Sequence, residues 1–217
     1  ALPICQQPSL PDTAEELQRI AKLLGAGEKA LLLREAATER RVKQTRLDEY
    51  GIVSFATHGV LAGELGQGIE PGLILTPPAE PTEEDDGFLA LSEVARLDLN
   101  ADWVVLSACN TGGGADQSSD TSGSGGKTAP GSEGEGLTGL AKAFTYAGAK
   151  ALLVSHWSVG SAATVELMEQ LFRAYREEPL SRAEAHRQAM LAMIGADEPL
   201  LRHPSLWAPF VVVGDGG

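Results

Sequence analysis

Two short runs, Ile52–Thr57 and Trp103–Cys109, are apolar almost throughout and lack alternation between apolar and polar residues. A strand with one face in water alternates with period two, whereas a strand covered on both faces does not. Both runs therefore predict interior strands of a sheet packed between two layers. Elsewhere the apolar spacing changes to three and four, the period of a helix face. Asp12 and Glu15 form a capping-box pattern, Leu17, Ile20, Ala21 and Leu24 then share one face, and Gly25 is placed to end that helix. Ala30–Leu33 reads as a short buried strand, and Thr38–Leu47 as a polar amphipathic helix. Leu137, Leu140, Ala141 and Phe144 mark a further helix closed by Gly148, and Ala151–Ser155 returns as a strand. Val165, Met168, Phe172 and Tyr175 lie on one helical face, as do Ala189, Met190, Met193 and Ile194. Phe210–Val213 supplies the last of five main strands. Strands alternating with helices predict right-handed crossovers and an α/β sandwich, its mostly parallel sheet carrying helices on both faces.

The 217 residues suit a single domain spanning 1–217, large enough to bury a sizeable core. Seventeen basic against thirty acidic residues leave a net charge of −13, which argues against a nucleic-acid partner, since phosphates reward basic patches. Such acidity keeps a domain soluble and suits basic peptides or basic partner surfaces. The two cysteines, Cys5 and Cys109, do not suggest a disulfide framework, and no Cys-x-x-Cys or His-x-x-x-His spacing suggests a metal. No apolar run is long enough to span a bilayer, and no charged-then-apolar leader opens the chain, so the expectation is a cytoplasmic location without membrane contact.

Two segments interrupt the strand–helix rhythm. Pro77–Asp86 carries five acids and no base and reads as a surface loop. Gly112–Gly136, rich in Gly, Ser, Thr and Asp, reads as a mobile insertion that begins three residues after Cys109, either a lid or processing site beside the nucleophile or an insertion without a role. Gly126-Lys127-Thr128 lies within it but is not a phosphate loop. The pattern needs glycine where this chain has Thr121, and a strand directly ahead.

Ligands of open α/β sheets sit at the carboxyl ends of the strands. His58 ends one predicted strand and Cys109 another, so neighbouring strands would bring both side chains over one edge of the sheet. Peptide cleavage by cysteine needs that pairing: a thiolate attacks the carbonyl, and an imidazole carries the thiol proton to the leaving amine. The N–H groups of Gly59 and Cys109 are then placed to receive a developing oxyanion. Taken singly, a cysteine ending an apolar strand is more often buried packing, and a histidine there more often a cap.

Phe55-Ala56-Thr57-His58-Gly59 and Val104-Val105-Leu106-Ser107-Ala108-Cys109-Asn110-Thr111-Gly112 resemble the two signature blocks of the CHAT family. That family comprises caspase-like domains, commonly joined to tetratricopeptide repeats and related to separases, gingipains and caspases. Asp86–Leu89 with Ser92–Val94, Gly136–Phe144, Ala147–Ala149, Ser155–Val159 and Trp207–Phe210 agree with further family blocks in order and spacing, the last as the final strand. The resemblance implies a caspase-like three-layer sandwich and a cysteine endopeptidase with a His58–Cys109 dyad and no cofactor. A protein or peptide is the implied substrate. It also implies a pocket for the first substrate side chain around Ser107, Trp157, Ser158 and Ser161, and control by a repeat region or regulatory protein.

The match departs in two places. Relatives commonly carry an aspartate just after the Trp-x-Val block, and in separase-like enzymes an acid there engages a basic side chain; here Gly160 and Ser161 stand instead. The family domain usually has a strand ahead of the first helix; this chain starts too late to supply it comfortably, so the expectation is either an absent edge strand or rearranged N-terminal residues, with an edge for a neighbour to cover. These departures motivate an alternative, a non-catalytic caspase-like module that transmits binding in signalling. A nucleophile-elbow hydrolase is disfavoured, because Ala108–Gly112 lacks the first glycine of Gly-x-Ser-x-Gly and the histidine precedes the nucleophile.

Overall fold

A computed structural model describes residues 10, 12–62, 65, 66, 68–107, 132–157 and 159–217, with backbone alone at 132–138 and 161. In chain order the elements are α1 (Asp12–Leu24), α2 (Glu39–Gln44), β1 (Ile52–Phe55), β2 (Gly59–Val60), β3 (Gly72–Ile74), β4 (Phe88–Ala90), α3 (Leu91–Val94) and β5 (Trp103–Leu106). There follow α4 (Ser132–Tyr146), β6 (Ala151–Ser155), α5 (Ser161–Glu177), α6 (Arg182–Ile194), α7 (Pro204–Trp207) and β7 (Phe210–Gly214).

The main sheet has the order β1-β5-β6-β7, the first three strands parallel and β7 antiparallel to β6. Pleating sends successive side chains of β5 to opposite faces. Trp103 and Val105 join Ala151 and Leu153 under α1, α5 and α6, against Ile20, Leu167, Met168, Phe172 and Met193. Val104 and Leu106 join Val53, Phe55, Leu152 and Val154 on the other face, under Leu140, Ala141 and Phe144 of α4. Trp103 meets Phe172 and Tyr175 at ring separations of 5.8 and 5.4 Å, and Phe55 meets Phe144 at 5.6 Å. Both faces are apolar and both are covered, which is why the strands show no alternation. The predicted three-layer α/β sandwich with a mostly parallel sheet is the observed architecture.

Helix ends follow their glycines. Gly25, at φ 69°, closes α1 with Ala26 N–H donating to the Ala21 carbonyl at 2.8 Å. Gly148, at φ 113°, closes α4, and a Cβ there would lie 2.0 Å from the Leu99 carbonyl oxygen. Only glycine fits that crossing.

Several expectations need correction. Ala30–Leu33 is no strand: a 3-10 turn covers Glu28–Ala30, and Leu31–Leu33 run on without ladder pairing, only half-buried. Among the described residues β1 is an edge strand, and the leucines do not pair with its open side. They instead line a cavity of about 930 Å³ between α1 and β1 that reaches Ser54 and His58. A three-stranded antiparallel sheet, β2-β3-β4, went unread, because strands of two or three residues are too short to show a period. The buried face of α6 is Arg182, Ala185, His186, Ala189 and Met193, while Ile194 is exposed. Trp207 ends the short α7, and the last strand begins at Phe210. The α4 backbone starts at Ser132, inside the segment read as an insertion, whose remainder lies outside the described residues, as do residues 1–9.

Candidate active site

β1 and β5 are adjacent and parallel, and their last registered pair is Phe55 with Leu106. Ser107 N–H extends the ladder by one bond, donating to the Phe55 carbonyl at 3.2 Å. The chain therefore leaves both strands at one end of the sheet, side by side. His58 follows β1 by three residues and is half-buried. Its main chain is held from both directions. The Ile74 N–H donates to the His58 carbonyl at 2.9 Å, the Thr57 hydroxyl donates to the Ile74 carbonyl, and Gly59 is paired with Leu73. The small sheet thus fixes the backbone that carries the imidazole. Cys109, three residues past Leu106 in the sequence, lies outside the described residues.

Of the expected pocket residues, Ser107 ends the β5 ladder and is 7% exposed. Trp157 follows β6, the other neighbour of β5, and is 41% exposed. Trp157 is anchored at both ends: its carbonyl accepts from the buried Ser155 hydroxyl at 2.6 Å, and its indole N–H donates to the Ser205 carbonyl at 3.0 Å. Ser158 and the side chain of Ser161 lie outside the described residues. Gly160 precedes α5, its carbonyl accepting from Ala163 and Thr164 N–H.

One residue at this end of the sheet had not been singled out. Glu16 of α1 is 3% exposed, and Oε1 has no hydrogen-bond partner among the described residues. Burial pushes its carboxyl up to about 7, with the Ser107 hydroxyl pulling the other way. Ser107 is thus close to Glu16, yet its hydroxyl makes no hydrogen bond of accepted geometry. The Ser54 hydroxyl of β1 is a third buried, unpartnered group. Side-chain alternation puts Ser54 with Ile52, and Ser107 with Trp103 and Val105, on the face that α1 covers. The sequence did carry a signal. Glu16 stands four residues before Ile20, so a carboxylate occupies the apolar stripe of α1.

A mostly parallel sheet brings the end of β1, which leads into His58, beside the end of β5, where the chain is described as far as Ser107. Comparison with protein families gives a match over residues 4–215 to the model described as CHAT domain. Comparison with curated proteins gives no match.

Proposed function

The chain belongs to the CHAT domain family, a caspase-like family, and we propose that it is a cysteine endopeptidase acting on a protein or peptide substrate through His58 and Cys109. The observation that supports this reading is the adjacency of β1 and β5, parallel and in register up to Phe55 and Leu106, with His58 three residues past one strand end and Cys109 three residues past the other in sequence.

In this reading the Cys109 thiol gives its proton to the His58 imidazole, and the thiolate attacks the scissile carbonyl. Carbonyl electrons move onto oxygen, where Gly59 and Cys109 N–H groups stabilise them, and collapse of the tetrahedral adduct expels an amine protonated by His58. Water, deprotonated by the same imidazole, then releases the acid and restores the thiol. The Ile74 N–H bond to the His58 carbonyl and the Thr57 hydroxyl bond to the Ile74 carbonyl hold the segment that carries the base before substrate arrives, which lowers the ordering cost at the moment of reaction. Ser107, Trp157, Ser158 and Ser161 receive the side chain next to the cut. Regulation comes from an attached repeat region or a protein partner, so the domain alone turns over slowly.

A random peptide library incubated with the chain and read by mass spectrometry tests the proposal. New termini that vanish with Cys109→Ala and with His58→Ala are expected. Termini that persist in both variants, or none with any partner present, contradict it.

A further inference from the structure

We infer that Thr76 is a positioning residue for His58, acting through β3, and that the strained 3-10 turn Arg34–Ala36 is the handle by which the base is set. The inference rests on the peptidase reading above. Ile74 of β3 makes both bonds to the histidine segment: its N–H donates to the His58 carbonyl at 2.9 Å, and its carbonyl accepts from the Thr57 hydroxyl. Two residues on, Thr76 is tied to a different part of the chain. Its N–H donates to the Ala37 carbonyl at 2.9 Å and its hydroxyl to the Arg34 carbonyl at 2.7 Å. The Arg34 carbonyl also accepts from Ala37 N–H at 2.9 Å, which closes the turn. A continuous path of hydrogen bonds and the short Ile74–Thr76 stretch therefore runs from Arg34 to His58.

The turn is held in a conformation its sequence does not favour. Among the described residues Arg34 is the one non-glycine with a positive φ, 50°. A Cβ crowds the backbone there, so a residue other than glycine stays only where its surroundings hold it. The Arg34 side chain is exposed, so burial does not impose the conformation. What the conformation secures is the direction of the carbonyl, toward Thr76. Packing is also missing on one side, because Arg34, Ala37, Ile74, Thr76 and His58 line the same cavity of about 930 Å³. Atoms facing a void lose their contacts on that side, which leaves hydrogen bonds to decide whether the turn stays wound. Unwinding it frees Thr76, then the end of β3, then the segment that carries the imidazole. The turn thus biases the base from outside the site.

The test reads the base and the fold separately. Alkylation of Cys109 by iodoacetamide is followed against pH by mass spectrometry of its peptide, and urea unfolding is measured on each variant. Thr76→Val keeps the shape and loses the hydroxyl donor. It should lower the alkylation rate near pH 6 by roughly twofold to thirtyfold, the range carried by such networks, and move the profile toward that of His58→Ala. Thr76→Ser, which restores the donor, should recover most of the loss. Arg34→Pro is an independent arm at an exposed position, and decides alone should Thr76→Val not fold. Proline cannot take a φ of 50°, and Leu33 before it is already extended, so the turn opens while the Thr76 hydroxyl stays. The profile should shift in the same direction, and less in Arg34→Gly, which adopts that φ freely. Thr76→Val and Arg34→Pro proteins that lose stability but keep the native profile would show a role in the fold alone and overturn the inference, leaving the peptidase reading in place. Native and His58→Ala profiles that coincide would instead remove the peptidase reading, and with it any base for the turn to set.

Discussion

Among the described residues two glutamates are withdrawn from water, and their surroundings are opposite. Glu39, 1% exposed, is surrounded by donors: Lys43 Nζ at 2.5 Å, Asp86 N–H at 2.9 Å and Gly87 N–H at 3.0 Å. Lys43 is shared with Glu93, whose other oxygen accepts from Ala90 N–H, so the network ties α2 to the start of α3 and to the loop before β4. Burial raises the Glu39 carboxyl, while Lys43 and the Asp86 N–H pull it down. Glu16 is buried as deeply and has an orphaned oxygen. Where every oxygen is satisfied, a buried acid is scaffolding. Where one is not, the fold keeps a costly group that a ligand can complete.

The comparison can be broken by substitution. Glu39→Ala leaves the Asp86 and Gly87 N–H groups without their acceptor, while Lys43 keeps Glu93, and should cost about 3 kcal/mol in urea unfolding. A loss below about 1 kcal/mol would show that the network contributes little. Glu16→Gln should do the reverse. A carboxyl raised from 4.5 to about 7 on folding binds more protons in the folded than in the unfolded chain across that interval. Native stability therefore falls as pH rises from about 4.5, and the whole deficit is present above about 7. Removing the titrating group should stabilise the protein at pH 8, by up to ~3 kcal/mol, and leave it nearly unchanged near pH 4.5. Destabilisation at pH 8 would show that Glu16 is a satisfied structural acid. The smallest effect belongs to Ser107→Ala. Without the hydroxyl that holds it down, Glu16 should titrate higher still, and stability at pH 8 should drop by less than ~1 kcal/mol. An unmoved Glu16 titration, followed by carbon-13 NMR of the labelled carboxyl, would separate the two residues.

The same contrast explains what was legible in the sequence. β5 and β6 were readable because Trp103–Leu106 and Ala151–Val154 are buried on both faces and so are apolar at every position. α1 and α4 were readable from their spacing and from Gly25 and Gly148, which only their positive φ explains. Leu31–Leu33 misled, because an apolar triplet looks alike in a strand and in the wall of a cavity; the difference is a pairing partner that local sequence does not specify. At the site, His58 and Ser107 could be placed at strand ends, but the neighbourhood of β1 and β5 is a tertiary fact. Glu16 is harder still: its burial, without an ion pair among the described residues, is visible only once α1 lies on the sheet.

The rate at which iodoacetamide alkylates Cys109, measured against pH in the native chain and in His58→Ala, tests the shared proton most directly. A thiol paired with an imidazole ionises well below the ordinary thiol range near 8.5, so the native profile should rise at clearly lower pH and His58→Ala should return it to that range. Superimposable profiles, both rising near 8.5, would contradict the account.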